Sequence, residues 1–403
     1  MNVSDPNAPM LRTLFPIFCS NSAIPACILS LCDRLAERGV PLDYWAPAVA
    51  RGIRREYHRV PVPTVLSRIW YRLGLPDNGL GWALERRYLA ALRPGDVAYL
   101  WPAVSLRTFR EVAERGNTIV LERVNSHRLN SQKVLDEAYR RLGFPAAHDI
   151  SVADARLESQ KLEIADRVFS PSPFVRQSLV DNGVPEEKLF DTSYGWDPRT
   201  FEILPRVHGE RRRPKFLFVA NGTVRKGLAQ LLEAWRAANL DATLCIVGPI
   251  EGHLAKAYER VLARPDVEHR PYHAQLSELY AEADAFVLAS HEEGSPLVTY
   301  LALASGLPCL VSPAAAGGVV RDGIEGLVRH PYDAVGWVSA LRELASDVDL
   351  RARLGGAAVV QAANYTWDRV AERRATELER LLGIERPPKE STAPVEAPGA
   401  LKP

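Results

Sequence analysis

The sequence predicts an α/β protein built from two doubly wound, Rossmann-like domains that face each other across a cleft. Two runs of short apolar strands alternating with amphipathic helices follow one another, the pattern of parallel sheets joined by crossover helices. A segment rich in Pro and Arg separates them, and 403 residues exceed what one core of this kind needs. The expected division is 1–203 for the first domain, 204–214 for a linker and 215–364 for the second domain. A helix over 365–385 that turns back toward the first domain follows, then a disordered Pro-rich tail over 386–403.

In the first half, Leu11–Phe18 reads as a buried strand, followed by a loop of small polar residues, Cys19 to Ser22. A helix over 24–37 comes next, with Pro25 in its first turn and Gly39 at its stop. Val40–Trp45, Asp96–Trp101, Thr118–Leu121 and Arg167–Ser170 are further strands. The third of these runs into Glu122, Arg123, Val124, Asn125, Ser126 and His127, at the strand end where open α/β sheets hold ligands. Ser172 and Pro173 start a helix that Gly183 ends.

The second half opens with the strand Lys215–Ala220 and the loop Asn221-Gly222-Thr223-Val224-Arg225-Lys226-Gly227. Apolar residues at 228, 231, 232 and 235 mark the next helix by their 3.6 period. Ala242–Val247 and Val267–Arg270 are strands, and Gln275–Ala283 is a helix. Ala285–Leu288 is a strand, Ser290–Gly294 a polar turn, Pro296 or Leu297 to Ser305 a helix, and Leu307–Val311 another buried strand. Ser295–Val320 carries no charge over 26 residues, but Pro296, Gly306, Pro308 and Pro313 break it, which favours a buried helix and strand over a membrane span.

A net charge of +1 gives no bulk attraction to nucleic acid. The five cysteines form no C-x-x-C pair, which reads as buried, reduced thiols. Met1–Pro9 is polar and carries no export signal, so a cytoplasmic protein is expected. Residues 51–93 hold nine Arg against three acids, interleaved with Trp70, Tyr71, Trp82 and Tyr88. That patch either rests on an anionic membrane surface or an anionic acceptor, or forms a solvated helical face whose aromatics pack inward.

Four residues stand out for chemistry. Arg225 and Lys226, flanked by Gly222 and Gly227 between a strand and a helix, can neutralise a diphosphate while the glycines let backbone approach it. Glu293, beside Gly294 ahead of a helix N-terminus, can accept bonds from sugar hydroxyls and stay ionised, with Glu292 as the outward-facing neighbour. His127 is the acid/base candidate, because imidazole titrates near neutral pH, with Asn125 and Glu122 as rivals. No metal is called for, since the one D-x-D, Asp347-Val348-Asp349, lies away from any strand end facing the cleft.

Glu293-Gly294-Ser295-Pro296, with the helix that ends Ala304-Ser305-Gly306-Leu307-Pro308, resembles the signature of the retaining glycosyltransferase family 4, of GT-B fold. The resemblance implies transfer of a sugar from a UDP- or GDP-sugar to an acceptor hydroxyl with retention, and no cofactor. It implies that Glu293, Gly294, Ser295, Pro296 and Leu297 hold the donor sugar, and that Gly222, Arg225 and Lys226 grip the diphosphate. Gly248 and Tyr272 join the donor set, and His269 and His273 lie near the nucleotide base. The family often has a His near the reacting carbon, where His127 would stand. The acceptor is a saccharide, lipid-linked or small molecule, with peripheral contact at the inner membrane face through 51–93 if that patch meets lipid.

Two positions depart from the family pattern. Asn221 stands where many members have Arg, and Leu301 stands where a second Glu would hold the ribose hydroxyls. Leu accepts no hydrogen bond, which costs about 1–3 kcal/mol per hydroxyl left unpaired. Another residue takes the ribose, the donor binds differently, or donor binding is lost. A binder that does not transfer, and a sugar-nucleotide epimerase, are therefore the alternatives.

Overall fold

Parallel strands buried on both faces hold the chain together, in two sheets. The computed structural model describes residues 8–21, 23–50, 52–61, 64–73, 78–206, 213–271 and 275–385. The expected Pro-rich tail, most of the linker (207–212), Tyr272 and His273 lie outside the described residues. The first sheet runs β3-β2-β1-β4-β5-β6-β7, the strands being Leu11–Leu14 (β1), Leu42–Trp45 (β2), His58–Arg59 (β3), Val97–Leu100 (β4), Thr118–Glu122 (β5), Arg167–Ser170 (β6) and Leu189–Asp191 (β7). The second runs β10-β9-β8-β11-β12-β13, from Lys215–Val219 (β8), Thr243–Val247 (β9), Val267–Arg270 (β10), Ala285–Leu288 (β11), Cys309–Val311 (β12) and Gly326–Val328 (β13). Every pairing is parallel, so crossover helices cover both faces.

This order reverses direction once in each sheet, between β1 and β4 and between β8 and β11. At such a switch point the loops leaving the two adjacent strands diverge and open a crevice. In the second sheet those loops are 220–227 and 289–296, so the Arg225-Lys226 and Glu292-Glu293 doublets arise on strands about 5 Å apart.

The core strands carry near-continuous apolar residues: Phe216, Leu217, Phe218, Leu244, Ile246, Phe286, Val287 and Leu310 are all at most 1% exposed. Each such side chain stabilises the fold by about 1.5–3 kcal/mol over leaving it in water. The five cysteines are buried and free. The first strand ends at Leu14 rather than Phe18, and it is not wholly apolar. Arg12 is buried inside it, its guanidinium shared by Asp43 at 2.8 Å and Asp96. That triad ties β1 to β2 and to the turn before β4.

The helix Trp367–Leu381 packs on the helix Ala23–Glu37 of the first sheet. Its Arg374 inserts at the end of β5, 2.8 Å from Glu122. Around it, Arg34 meets Asp197 at 2.8 Å and Arg199 meets Glu37 at 2.9 Å. The uncharged stretch 295–320 is broken into the helix Leu297–Ala304, β12 and the short helix Pro313–Ala316. Among the described residues no helix is long and apolar enough to cross a membrane.

Candidate functional site

The two charged doublets meet pairwise across the switch point. Arg225 Nε donates to Glu292 Oε2 at 2.8 Å, and its Nη2 lies 3.8 Å from Glu293 Oε2. Lys226 Nζ is bonded to Glu293 Oε1, which also accepts the Ser290 hydroxyl at 2.9 Å. Burial pushes the Glu293 carboxyl up, but Lys226 and Arg225 outweigh it and hold the group below its ordinary value. Glu293 is therefore an ionised carboxylate, 4% exposed, beside two cations that keep partial access to solvent.

Glu292 corrects the sequence reading. Expected to face outward, it is 2% exposed and reaches the first domain, where its Oε1 accepts the Ser126 backbone N–H at 3.0 Å and the Ser126 hydroxyl at 2.9 Å. Arg225 Nη2 also donates to Asn125 Oδ1 at 3.4 Å. The Ser172 hydroxyl donates to the Gly294 carbonyl at 2.6 Å. Gly294 sits so close to the turn after β5 that a Cβ there would fall on the Val124 carbonyl oxygen. Any side chain at 294 would thus lever the loop off the first domain.

The glycines of the other loop serve packing. A Cβ on Gly222 would meet Leu228 and Ile250 at 2.6 and 2.9 Å. Gly227 has φ +68 and backs onto the Ala289 carbonyl, so only a residue without a side chain brings this loop against β11. Gly248 lies against the Ala220 carbonyl, and its own carbonyl is 2.9 Å from His269 Nε2. At these three positions the space a side chain would need is taken by the protein's own atoms. Pro296 occupies the cap position of the helix Leu297–Ala304, whose Ser295 neighbour shares its hydroxyl with Tyr300 at 2.5 Å.

His127 is placed differently from the expectation that it faces the cleft. It is fully buried as the N-cap of the helix Arg128–Leu142, with Nδ1 accepting from the Leu129 N–H at 3.2 Å. Its Nε2 lies 3.3 Å from the Ser159 hydroxyl and 3.8 Å from Glu158. A capping side chain folds back over its own first turn, so the imidazole turns under the helix Val152–Ile164. Burial lowers its pKa, with Glu158 acting against that and Arg123 with it. Asn125 and Ser126 take the positions at the cleft, and they line a cavity of about 270 Å³ with Arg123, Arg128, Arg225 and Glu292. Glu122 points away, into Arg374 and Tyr99.

The same loop brings a pH-sensitive group. His291 lies against Tyr332, with ring centroids 5.0 Å apart and the planes tilted by 41°, and its pKa is lowered to about 4, chiefly by burial. His58, on β3, is likewise lowered to about 4 by burial and Arg55. Both stay neutral in the folded chain, while an unfolded imidazole takes a proton near pH 6.5. Their stability is therefore fully present above about pH 6.5 and is lost as the pH falls toward 4, by up to about 3 kcal/mol each. The urea midpoint should fall steadily between pH 7 and pH 5, and His291→Phe should make that slope shallower. An unchanged slope in the variant would contradict this assignment.

Residues 213–347 match the family model described as Glycosyl transferases group 1. The chain is 27% identical to a D-inositol 3-phosphate glycosyltransferase of Paenarthrobacter aurescens over 299 residues, 68% of this chain and 67% of that protein. It is 40% identical to a protein of the same name from Actinosynnema mirum over 100 residues, 24% of each. Among solved structures it is similar to sucrose-phosphate synthase from Thermosynechococcus elongatus, with a TM-score of 0.68 at 16% identity over 93% of this chain and 100% of that one. It is also similar to Anabaena HepE in complex with UDP and glucose, with a TM-score of 0.61 at 13% identity over 92% of this chain and 100% of that one. At those identities the structural likeness speaks for the fold.

Proposed function

Because the chain belongs to the group 1 glycosyltransferases of family 4, with the GT-B fold, we propose that it moves a sugar from a nucleotide-sugar donor to an acceptor hydroxyl with retention at the anomeric carbon. The product would belong to a cell-surface polysaccharide, glycolipid or glycoconjugate. The observation that carries the reading is the convergence of Arg225, Lys226 and Glu293 at the switch point of the second sheet. The UDP held by HepE makes a UDP-sugar the first donor to try.

In the reaction the bond from the anomeric carbon to the diphosphate breaks, and a bond from that carbon to the acceptor oxygen forms on the same face. The acceptor proton passes to the departing phosphate, so no protein nucleophile is required. Arg225 and Lys226 would stabilise the charge on the leaving diphosphate, and Glu293 would accept the donor sugar's hydroxyls. His127, enclosed as a cap, would act by setting the Asn125–Ser126 turn rather than by touching substrate. Release of the nucleoside diphosphate (UDP or GDP, according to the donor) from a panel of UDP- and GDP-sugars, with and without acceptor, tests the reading; release from none of them would remove it.

One observation favours binding without transfer. Leu301 lies half-buried on the same helix face as Leu297 and Val298, where the family resemblance would put a carboxylate for the ribose. Leu301→Glu is expected to tighten UDP by about 1–3 kcal/mol, roughly 5- to 150-fold, read as an added thermal shift. An identical shift for variant and parent would mean that position 301 does not face the nucleotide.

A further inference from the structure

A second cavity, about 700 Å³ and more than twice the donor-side one, opens in the first domain. Its volume is that of a small-molecule site, which typically spans about 300–1,000 Å³. It is a trough between the helices Asn78–Ala91 and Leu106–Glu114, one leading into β4 and the other leaving it. Both helices begin at the carboxyl end of the sheet, and the loops after β1 and β4 supply Pro16, Ile17 and Ala103. The trough therefore sits at the switch point of the first sheet, as the charged doublets sit at that of the second.

Its lining sorts by chemistry. Ile17, Leu89, Ala90 and Trp82 make an apolar wall, and Trp82 is 55% exposed. The carboxylates are engaged. Glu85 accepts the Ser105 N–H at 2.9 Å and the Thr108 hydroxyl at 2.7 Å, and Glu111 holds Arg115 at 2.7 Å. Arg86 and Arg107 have no carboxylate partner among the described residues; Arg86 lies over the Trp82 ring at 5.1 Å. An apolar trough whose acids are occupied and whose two free charges are guanidiniums asks for an apolar chain with an anion, not for a bare saccharide.

The trough also adjoins the donor-side cavity at Pro102–Ala103. Ala103 lines it, and the adjoining Pro102 lines both the donor-side cavity with Arg225 and Glu292 and a smaller one of about 100 Å³ with Arg123 and Glu158. Just upstream, Leu66, Ile69 and Leu73 lie three, then four residues apart, on one helical face, and they are 56%, 50% and 67% exposed. An apolar strip of this kind suits a substrate met at a lipid surface.

Resting on the transferase reading above, we propose that the acceptor is an anionic amphiphile. Its hydrocarbon chain lies along Ile17, Trp82, Leu89 and Ala90, its phosphate meets Arg86 and Arg107, and its hydroxyl-bearing head passes Pro102 toward Arg225 and Glu292.

Tryptophan emission of the full chain, titrated with oleoyl lysophosphatidic acid below its micelle concentration, tests this. Lysophosphatidic acid should bind with a blue shift that Trp82→Phe removes. Monoolein and glycerol 3-phosphate should each bind at least tenfold more weakly. Arg86→Glu with Arg107→Glu, both at exposed positions, should weaken lysophosphatidic acid at least tenfold with an unchanged melting temperature. Equal binding of monoolein, an unaffected double variant, or capture by anionic vesicles without binding of the monomeric lipid would each overturn the inference. UDP titrated into the parent chain separates the two readings. UDP binding without lipid binding removes this inference alone, whereas an absence of UDP and nucleotide-sugar binding removes the transferase reading beneath it.

Discussion

Glu293→Gln is expected to lower kcat/KM for the donor by about 10²–10³, equivalent to about 3–4 kcal/mol of lost transition-state stabilisation. The substitution keeps the shape and the bond from Ser290 but removes the charge that faces Lys226 and Arg225. Two roles for the carboxylate predict different companions to that loss. If Glu293 only restrains Lys226, its removal frees a cation and UDP binds more tightly. If it also holds the sugar, affinity for UDP-sugar falls relative to UDP, because an amide accepts a hydroxyl bond more weakly than a carboxylate does. We expect the second pattern, since Glu293 has one oxygen on Lys226 and Ser290 and the other only 3.8 Å from Arg225. Titrating UDP and UDP-sugar against both chains distinguishes the two. A kcat/KM within threefold of the parent would remove Glu293 from the site altogether.

The sequence made the alternation of strands and helices legible because parallel strands buried on both faces must be apolar throughout, as β8, β9 and β11 are. It made the two doublets legible as charges in loops, but not their partners. Glu292 looks like a surface acid because adjacent residues usually point apart; only the approach of β5 supplies the Ser126 donors that bury it. His127 looked catalytic because it ends a strand at the cleft, and nothing in the sequence reveals that it caps the next helix and turns inward. The two-residue β3 and three-residue β7 are too short to express a period. Arg12, a charge inside the first strand, reads as a break in it until Asp43 and Asp96 are seen to meet it from neighbouring chain segments. Short-range pattern thus gives the elements, while the pairings that make a site are long-range and belong to the fold.

Arg374→Met is expected to destabilise the chain by about 3–5 kcal/mol, lowering the apparent Tm by roughly 6–20 °C at about 2–4 °C per kcal/mol. The guanidinium is fully buried and each of its three nitrogens donates a hydrogen bond. Nη1 reaches Glu122 at 2.8 Å and the Tyr99 hydroxyl at 3.0 Å, Nε reaches the Thr192 hydroxyl at 2.8 Å, and Nη2 reaches the Ser193 carbonyl at 2.9 Å. Phe169 and Tyr194 lie against it at 5.5 and 5.6 Å. Methionine can fill the volume, so the loss should be electrostatic: Glu122 would keep Tyr99 alone against the desolvation of a buried carboxylate. Glu122→Gln added to Arg374→Met should therefore recover a large part of the lost Tm, which a mere packing defect would not allow. The consequence should extend to the donor site. Glu122 is the last residue of β5, and the turn that follows it gives Ser126 to Glu292, so loosening the end of β5 should weaken UDP in the single variant and restore it in the double. A single variant that melts within 2 °C of the parent, or a double no more stable than the single, would show that this buried pair does not hold the closing helix to the first sheet.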